Sequence, residues 1–521
     1  MKSSQTVVHI RRQFFQLFNG EARKVFRKFL KFLIVESWVD RLSKALCESS
    51  IRWRSIKQPK AIRKILCELD LPSLDFQLES QFDAGLNDLI TQGKNFREMG
   101  KFLNERNLYE QAVNLHPERI EPRLSLAAVE FLEGNLDAWT NQYQSISQIS
   151  LKETLRRFKK EPSVRLLGVE WTGPMGHLAQ IDAIVKLGKL GKLGDERRVV
   201  VTNFSQIANS TVLELWKNHI AVFQLSTFNY NRFKTNYWSI FEHVPFIKIE
   251  DRYIDQTTAW NESNVEWEKI GLPPLLGVPE KINHLGKKVL SKWGLRESDW
   301  FATLHVREGN HVSRRQLPNA DVEAYIPAIK KIISIGGKVI RMGNPRMKPL
   351  PKIPGLVDYA HSAQRSDWMD VFLWGNSKFF IGTNSGGSDI PIAFGIPMIK
   401  TNFCHVGQSF YSPNSFMVPK LFQDVHSGEI LRFEQVFNSP FAWTVSDSHS
   451  GFEYKHVDNS PEILVAAVEE MISNLNGSPD EKLIRSTQSL VSSFDHLRKK
   501  YRARGSLPIS RRFLDHYREL F

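Results

Sequence analysis

From residue 163 onward the chain alternates short β-rich runs with segments of helical period, and that alternation implies a parallel α/β sheet. The runs VRLLGVEW (164–171), RRVVVTNF (197–204) and IAVFQL (220–225) form a first series. An aromatic-rich, less regular stretch, 226–285, leads to a second: WFATLHVRE (300–308), GKVIRMG (337–343), LVDYA (356–360), KFFIGTNSG (378–386) and IPMIKTN (396–402). The expected fold class is α/β, with two tandem Rossmann-like domains preceded by an α-helical N-terminal region. A cleft between two such units is a common plan for enzymes that use a nucleotide-activated substrate. The expected boundaries are 1–70 for a basic amphipathic segment, 71–155 for a helical region, 160–285 for the first Rossmann-like domain with its linker, 286–490 for the second, and 491–521 for a basic C-terminal helix.

The net charge of +14 over 521 residues is unevenly spread. Residues 1–64 hold 16 Lys and Arg against 4 Asp and Glu, and the run 498-RKKYRARGSLPISRR-512 holds 7 basic residues and no acidic one. The long middle section is slightly acidic, which excludes an extended nucleic-acid groove across the body. In the first segment Phe14, Phe15, Phe18, Phe26, Phe29 and Phe32 alternate with Arg23, Lys24, Arg27, Lys28 and Lys31 at helical spacing. Charge interrupts every apolar run well short of the roughly 18 to 20 residues that span a bilayer. The pattern fits a helix lying on an anionic membrane surface through 1–64, and hence a cytoplasmic, peripheral protein at the inner face of the cell membrane. Packing of the same Phe stripe on the protein body is the alternative.

Residues 84–145 read as helical hairpins that resemble a tetratricopeptide pair. The cues are Leu108, Ala112 and Leu115, the turn at Pro117, then Leu126, Ala127 and Ala128, and Gly134 before Ala138. Such a short array suits a spacer or a surface for a protein partner.

Two local motifs can carry chemistry. In 303-TLHVREGN-310 an apolar strand delivers His305 and Arg307 to its carboxyl end, where parallel sheets bind ligands, and the Arg guanidinium matches two phosphate oxygens. In 379-FFIGTNSGGSDIPIAFGIP-397 a strand runs into Thr383, Asn384, Ser385, Gly386 and Gly387 ahead of a helix, offering amides and hydroxyls to an anion. A third loop, 171-WTGPMGHLAQID-182, places His177 after the first strand, with Gly173 and Gly176 allowing close backbone approach. Arg341 ends the VIRMG strand and either assists at the anion or forms a structural ion pair. Asp358 and Tyr359 follow the next strand and either meet a nucleotide or belong to the core.

The order HVREGN, VIRMG, DYA, an acidic helix with Asp367 and Asp370, and FFIGTNSGG resembles a bacterial family of glycosyltransferases over about residues 160–480. More distantly, HVREGN and TNSG are similar to the donor-binding motifs of fucosyltransferases with the two-domain GT-B fold. The resemblance implies a nucleotide diphosphate sugar donor, GDP-linked in the first instance, with no metal and no other cofactor. It implies that Arg307 grips the diphosphate, that His305 supports its loop, and that Thr383, Asn384, Ser385 and Gly386 hold phosphate. The second domain is then the donor side and the first the acceptor side, for a hydroxyl on a glycan or another cell-surface precursor. Asn310 stands where the fucosyltransferase motif often carries Asp, which leaves the sugar open. An inverting transfer needs one base, and His177, Glu308 and Asp389 remain the candidates.

Three cysteines provide no disulfide framework, the histidines do not cluster with cysteine at ligand spacing, and there is no phosphate loop of the G-x-x-x-x-G-K-[ST] type and no G-x-S-x-G elbow. The rival expectation is a non-catalytic scaffold of a polysaccharide-assembly complex, built on the helical hairpins and a degenerate α/β pair.

Overall fold

The computed structural model describes residues 60–72, 84–99, 101–243, 245–249, 252–308, 317–443 and 454–521. They belong to one compact unit, Pro59–Leu74 with Ser80–Phe521. The basic amphipathic stretch expected on the membrane lies outside the described residues, apart from its end, where α1 (Lys60–Glu68) buries Ile62, Ile65 and Leu66.

Four helices follow: α2 (Ala84–Glu98), α3 (Phe102–Leu115), α4 (Ile120–Glu133) and α5 (Leu136–Phe158). Short connections pair them as hairpins. The ring of Tyr109 sits so close to Gly93 that a Cβ there would overlap it, which brings α2 and α3 together. Arg106 on α3 forms ion pairs with Glu130 at 2.5 Å and Glu133 at 2.6 Å on α4. Gly134, at a φ of 77°, ends α4 in the left-handed conformation that glycine adopts without strain. α5 is 23 residues long and docks on the α/β body. Tyr143 stacks on Phe246 at 4.6 Å, and the Thr154 hydroxyl donates to the Ser239 carbonyl at 3.1 Å.

The first sheet has the order β1-β2-β3 (Val164–Leu167, Arg197–Asn203, Ala221–Leu225), all parallel. Its crossovers are α6 (Met175–Lys189) and α7 (Ser210–Trp216). α6 is buried along almost all of its length, from Leu178 to Leu187, because it is covered on both sides. The stretch expected to be a linker is structured: α8 (Thr227–Tyr237), a hairpin of β4 (Phe246–Ile249) and β5 (Arg252–Asp255), and α9 (Gln256–Lys269). α10 (Glu280–Lys292) leads into the second sheet.

That sheet contains β6 (Phe301–His305), β7 (Lys338–Arg341), β8 (Leu356–Val357), β9 (Phe380–Gly382), β10 (Met398–Phe403) and β11 (Phe416–Pro419), with α11 (Ile326–Ser334) and α12 (Asp367–Asn376) among its crossovers. The spatial order is β11-β10-β9-β6-β7-β8, every pairing parallel. Numbered from β6, this is the doubly wound order 3-2-1-4-5-6, whose direction of winding reverses between β6 and β9. One apolar cluster runs through both halves, joining Trp171, Leu178 and Trp216 to Tyr359, Phe372 and Ile390.

The C-terminal expectation is corrected. Residue 491 is no boundary, because α14 (Glu481–Lys500), which follows α13 (Pro461–Leu475), runs through it; residues 501–510 then add to the edge of β11 through an Ile509–Met417 bridge before α15 (Arg511–His516). Four of the seven basic residues of the run are engaged by the fold, while Lys499, Lys500 and Arg502 stay exposed. Arg498 is half-buried against the Phe494 ring and donates to the Leu507 carbonyl. Arg504 covers the Trp139 ring at 5.0 Å, Arg511 donates to the Ile484 carbonyl at 3.1 Å, and Arg512 pairs with Asp480 at 3.1 Å.

Asn261 on α9 ties the halves together. Its amide nitrogen lies 2.8 Å from the carbonyls of both Ser409 and Arg504, and its oxygen accepts from the Tyr411 amide and the Ser506 hydroxyl. Replacing it by Ala strands several buried polar groups at about 1–3 kcal/mol each. Asn261→Ala is therefore expected to lower the unfolding free energy by about 2–4 kcal/mol in urea denaturation, whereas a change below about 0.5 kcal/mol, the size of an ordinary surface substitution, contradicts this role.

Candidate functional site

The two sequence motifs meet at the point where the winding reverses. β6 and β9 are paired in register up to His305 opposite Gly382, and the chain leaves both strands on the same edge. Three hydrogen bonds then join the loops. The Thr383 amide donates to the His305 carbonyl at 3.0 Å, the Arg307 amide donates to the Thr383 hydroxyl at 2.8 Å, and the Ser385 hydroxyl lies 3.0 Å from His305 Nδ1. A Cβ on Gly382 would fall on the His305 carbonyl, so only glycine permits this approach. Ser385 and Ser388 close a reciprocal capping box at the helical turn Gly386–Ser388.

Electrostatics follow from this enclosure. Burial, with the charges of Arg341 and Arg307 nearby, pushes the His305 imidazole down to about 4, so it is neutral at physiological pH. Burial also raises the Cys404 thiol to about 12, with Lys420 and Arg307 pulling the other way. Asn384 Nδ2 lies 2.9 Å from His405 Nε2, and the Asn384 Oδ1 is buried with no partner among the described residues.

The first half reaches the same place. Gly176, in the first turn of α6, faces Gly386 so closely that a Cβ on Gly386 would lie 2.6 Å from the Gly176 nitrogen. The neighbouring His177 has its Nδ1 2.7 Å from the Glu170 carbonyl, which can only accept. Nδ1 therefore carries the proton and Nε2 the lone pair, the tautomer a general base requires. A Cβ on Gly176 would also lie 3.3 Å from Asp389 Oδ2, whose carboxylate is held through Oδ1 by Lys400 at 2.8 Å.

Five candidates have partners within the fold. Arg341 is fully buried and pairs with Asp358 at 3.1 Å and Glu308 at 3.0 Å, while Glu308 and Asp358 also accept the amides of Lys348 and Leu350. These contacts weigh against Glu308, one of the three candidate bases, and against Arg341 and Asp358 as donor contacts, since their carboxylates and the two terminal guanidinium nitrogens pair with one another. Tyr359 is buried in the core with its hydroxyl 2.8 Å from Asp370, so its ring is not available to a base. Thr383 is also buried, and its hydroxyl positions Arg307 rather than a phosphate. Gly309 and Asn310 lie outside the described residues.

Sequence reasoning missed Lys400 and His405 and gave Asp367, named in the acidic helix, no role of its own. Lys400 is a buried cation on β10, donating at 2.7 Å to both the carbonyl and the hydroxyl of Ser388. Burial lowers its pKa, while Asp389 opposes the shift. A charged residue inside the apolar run IPMIKTNF was the available signal. His405 stands at a φ of 49°, beside Asn384. Asp367 accepts from the Ser210 amide at 2.7 Å at the start of α7, and with Asp370, raised to about 6 by burial, it clasps the first half. Among the described residues no group of three or more His, Cys, Asp or Glu side chains is arranged to hold a metal ion, and no helix is long and apolar enough to cross a membrane.

No family model and no curated protein matches the chain. Solved structures similar to parts of it include the glycosyl transferase family 9 protein from Veillonella parvula, at 10% identity over 49% of this chain and 85% of that one, with a TM-score of 0.32. Another is the iron-containing dodecameric glycosyltransferase TibC from enterotoxigenic E. coli, at 14% identity, 60% and 76% coverage and a TM-score of 0.33. A third is E. coli ADP-heptose LPS heptosyltransferase II, at 10% identity, 60% and 98% coverage and a TM-score of 0.32. At these values the roles of this chain's residues rest on its own geometry.

The depressed His305 has a sign that can be checked. An unfolded histidine takes up its proton near pH 6.5 and the folded one only near 4, so its contribution is complete above pH 6.5 and is lost as pH falls toward 4. The stability advantage of the wild type over His305→Gln, followed by urea denaturation from pH 8 to pH 4, is expected to shrink across that window. A constant difference contradicts the buried neutral imidazole.

Proposed function

We propose that this protein is a glycosyltransferase. It takes a nucleotide diphosphate sugar, a GDP-sugar in the first instance, and transfers the sugar to a hydroxyl of a glycan or another cell-surface precursor. The observation that carries the reading is the joining of Arg307 and the Thr383–Gly386 loop at the point where the sheet reverses its winding, with Met175 and Gly176 at the start of α6, next in sequence to His177, brought against Gly386. Anionic ligands bind at the carboxyl ends of parallel strands at such a point.

In the reaction the acceptor oxygen attacks the anomeric carbon as the bond to the diphosphate breaks. His177 Nε2 takes the hydroxyl proton. The charge that develops on the leaving diphosphate is met by Arg307, without a divalent metal. A single displacement inverts the anomeric centre. The fucosyltransferase-like motif, peripheral attachment to the inner membrane face through 1–64 and docking of a protein partner on the hairpins of 84–145 belong to the same proposal. A scaffold reading draws on one observation, the solvent-exposed Leu103 and Leu115 on α3.

Isothermal titration of GDP, UDP and ADP in EDTA tests the reading. A charge-assisted contact is worth about 1.5–3 kcal/mol, so Arg307→Ala is expected to weaken the best nucleotide about 10- to 100-fold. His177→Gln is expected to leave nucleotide affinity unchanged and abolish transfer. Equal affinity in wild type and Arg307→Ala contradicts the donor assignment, and no nucleotide binding by the wild type favours the scaffold.

A further inference from the structure

Phe204 and Phe228 are 66% and 56% exposed, and among the residues whose side chains are described no other Phe, Tyr or Trp is as open to solvent. Both lie on the carboxyl edge of the first sheet: Phe204 directly follows β2, and Phe228 opens α8 after β3. The Phe204 amide donates to the Leu225 carbonyl at 3.2 Å, and the hydroxyls of Ser205 and Thr227 lie 3.2 Å apart, so the two loops that carry the rings are joined to each other. The same edge continues to β1. The Thr172 hydroxyl donates to the Gln206 carbonyl at 2.9 Å and the Ala208 amide to the Thr172 carbonyl at 2.8 Å, immediately before the loop that carries His177.

We propose that Phe204 and Phe228 form a platform that binds a saccharide ring of the acceptor; this rests on the transferase reading and names the substrate class of its acceptor side. An exposed aromatic ring adds little to folding, because the surface it leaves in water contributes no burial. Its electron-rich face suits the C–H face of a pyranose. The neighbours Ser205, Gln206, Ser226 and Thr227 are exposed and polar, which supplies hydrogen bonds to sugar hydroxyls. A lipid chain calls for a continuous apolar groove, whereas the exposed neighbours of each ring in sequence are polar.

The test uses the full chain and saturation-transfer difference NMR with chitotetraose, maltotetraose, cellotetraose and mannotetraose as probes. At least one is expected to bind the wild type through its ring C–H protons. Phe204→Ala and Phe228→Ala are each expected to weaken that binding about tenfold, and Tyr at either position to restore it while Leu does not. Sedimentation with phosphatidylcholine–phosphatidylglycerol vesicles is measured alongside. Equal saccharide binding in the Ala variants, rescue by Leu as well as by Tyr, no binding of any of the four by the wild type, or loss of vesicle binding in place of saccharide binding overturns the platform. Nucleotide titration separates the two claims. Retained nucleotide affinity with unaltered saccharide binding removes the platform alone, whereas a wild type that binds no nucleotide removes the transferase reading beneath it.

Discussion

The hydrogen bonds between the ends of β6 and β9 are the constraint on which the rest of the candidate site depends. In an open parallel sheet the loops on either side of the reversal diverge, one to each face, and leave a crevice between them. Here the crevice floor is closed by the bonds of Thr383 to His305 and Arg307 and of Ser385 to His305. The result is a fixed backbone path for Arg307. An arginine whose backbone is held this way loses less main-chain freedom on meeting an anion than one on a mobile loop, which is the physical content of preorganisation.

Contacts between the halves extend that rigidity. Glycine faces glycine where Gly176 meets Gly386, Asp367 reaches the start of α7, and Asn261 spans from α9 to the returning C-terminal segment. The first two lie on the carboxyl side of the strands, where loops from both sheets converge. Lys400 beneath the loop completes the arrangement, since its ammonium holds Ser388 and Asp389 together. With Asp389 committed to that lysine, the imidazole of His177 is the candidate base whose tautomer is suited to proton transfer.

Much of this architecture was legible because strands and crossovers leave local patterns. The apolar runs at 164–171, 197–204, 300–308 and 378–386 mark strands that exist, and HVRE and TNSG fall on strand ends as their spacing implied. Spatial order was not legible: nothing local to HVRE or TNSG states that β9 lies beside β6. Partnership was equally hidden. Arg341, Asp358 and Glu308 satisfy one another across 50 residues of chain, and the basic run at 498–512 finds rings, carbonyls and Asp480 only after folding. A count of charges describes potential at a distance, whereas the use of each charge is decided by its neighbours. Lys400 and His405 escaped for the same reason, since their significance comes from the loop that β9 brings to them.

Hydrogen–deuterium exchange on the full chain, with and without saturating GDP, UDP or ADP, tests the central claim most directly. The account requires that at least one nucleotide slow exchange in residues 303–308 and 382–389 together, with a smaller effect at the start of α6. Exchange unchanged in both segments with every nucleotide, or protection of one segment without the other, contradicts a single anion site assembled from the joined ends of β6 and β9.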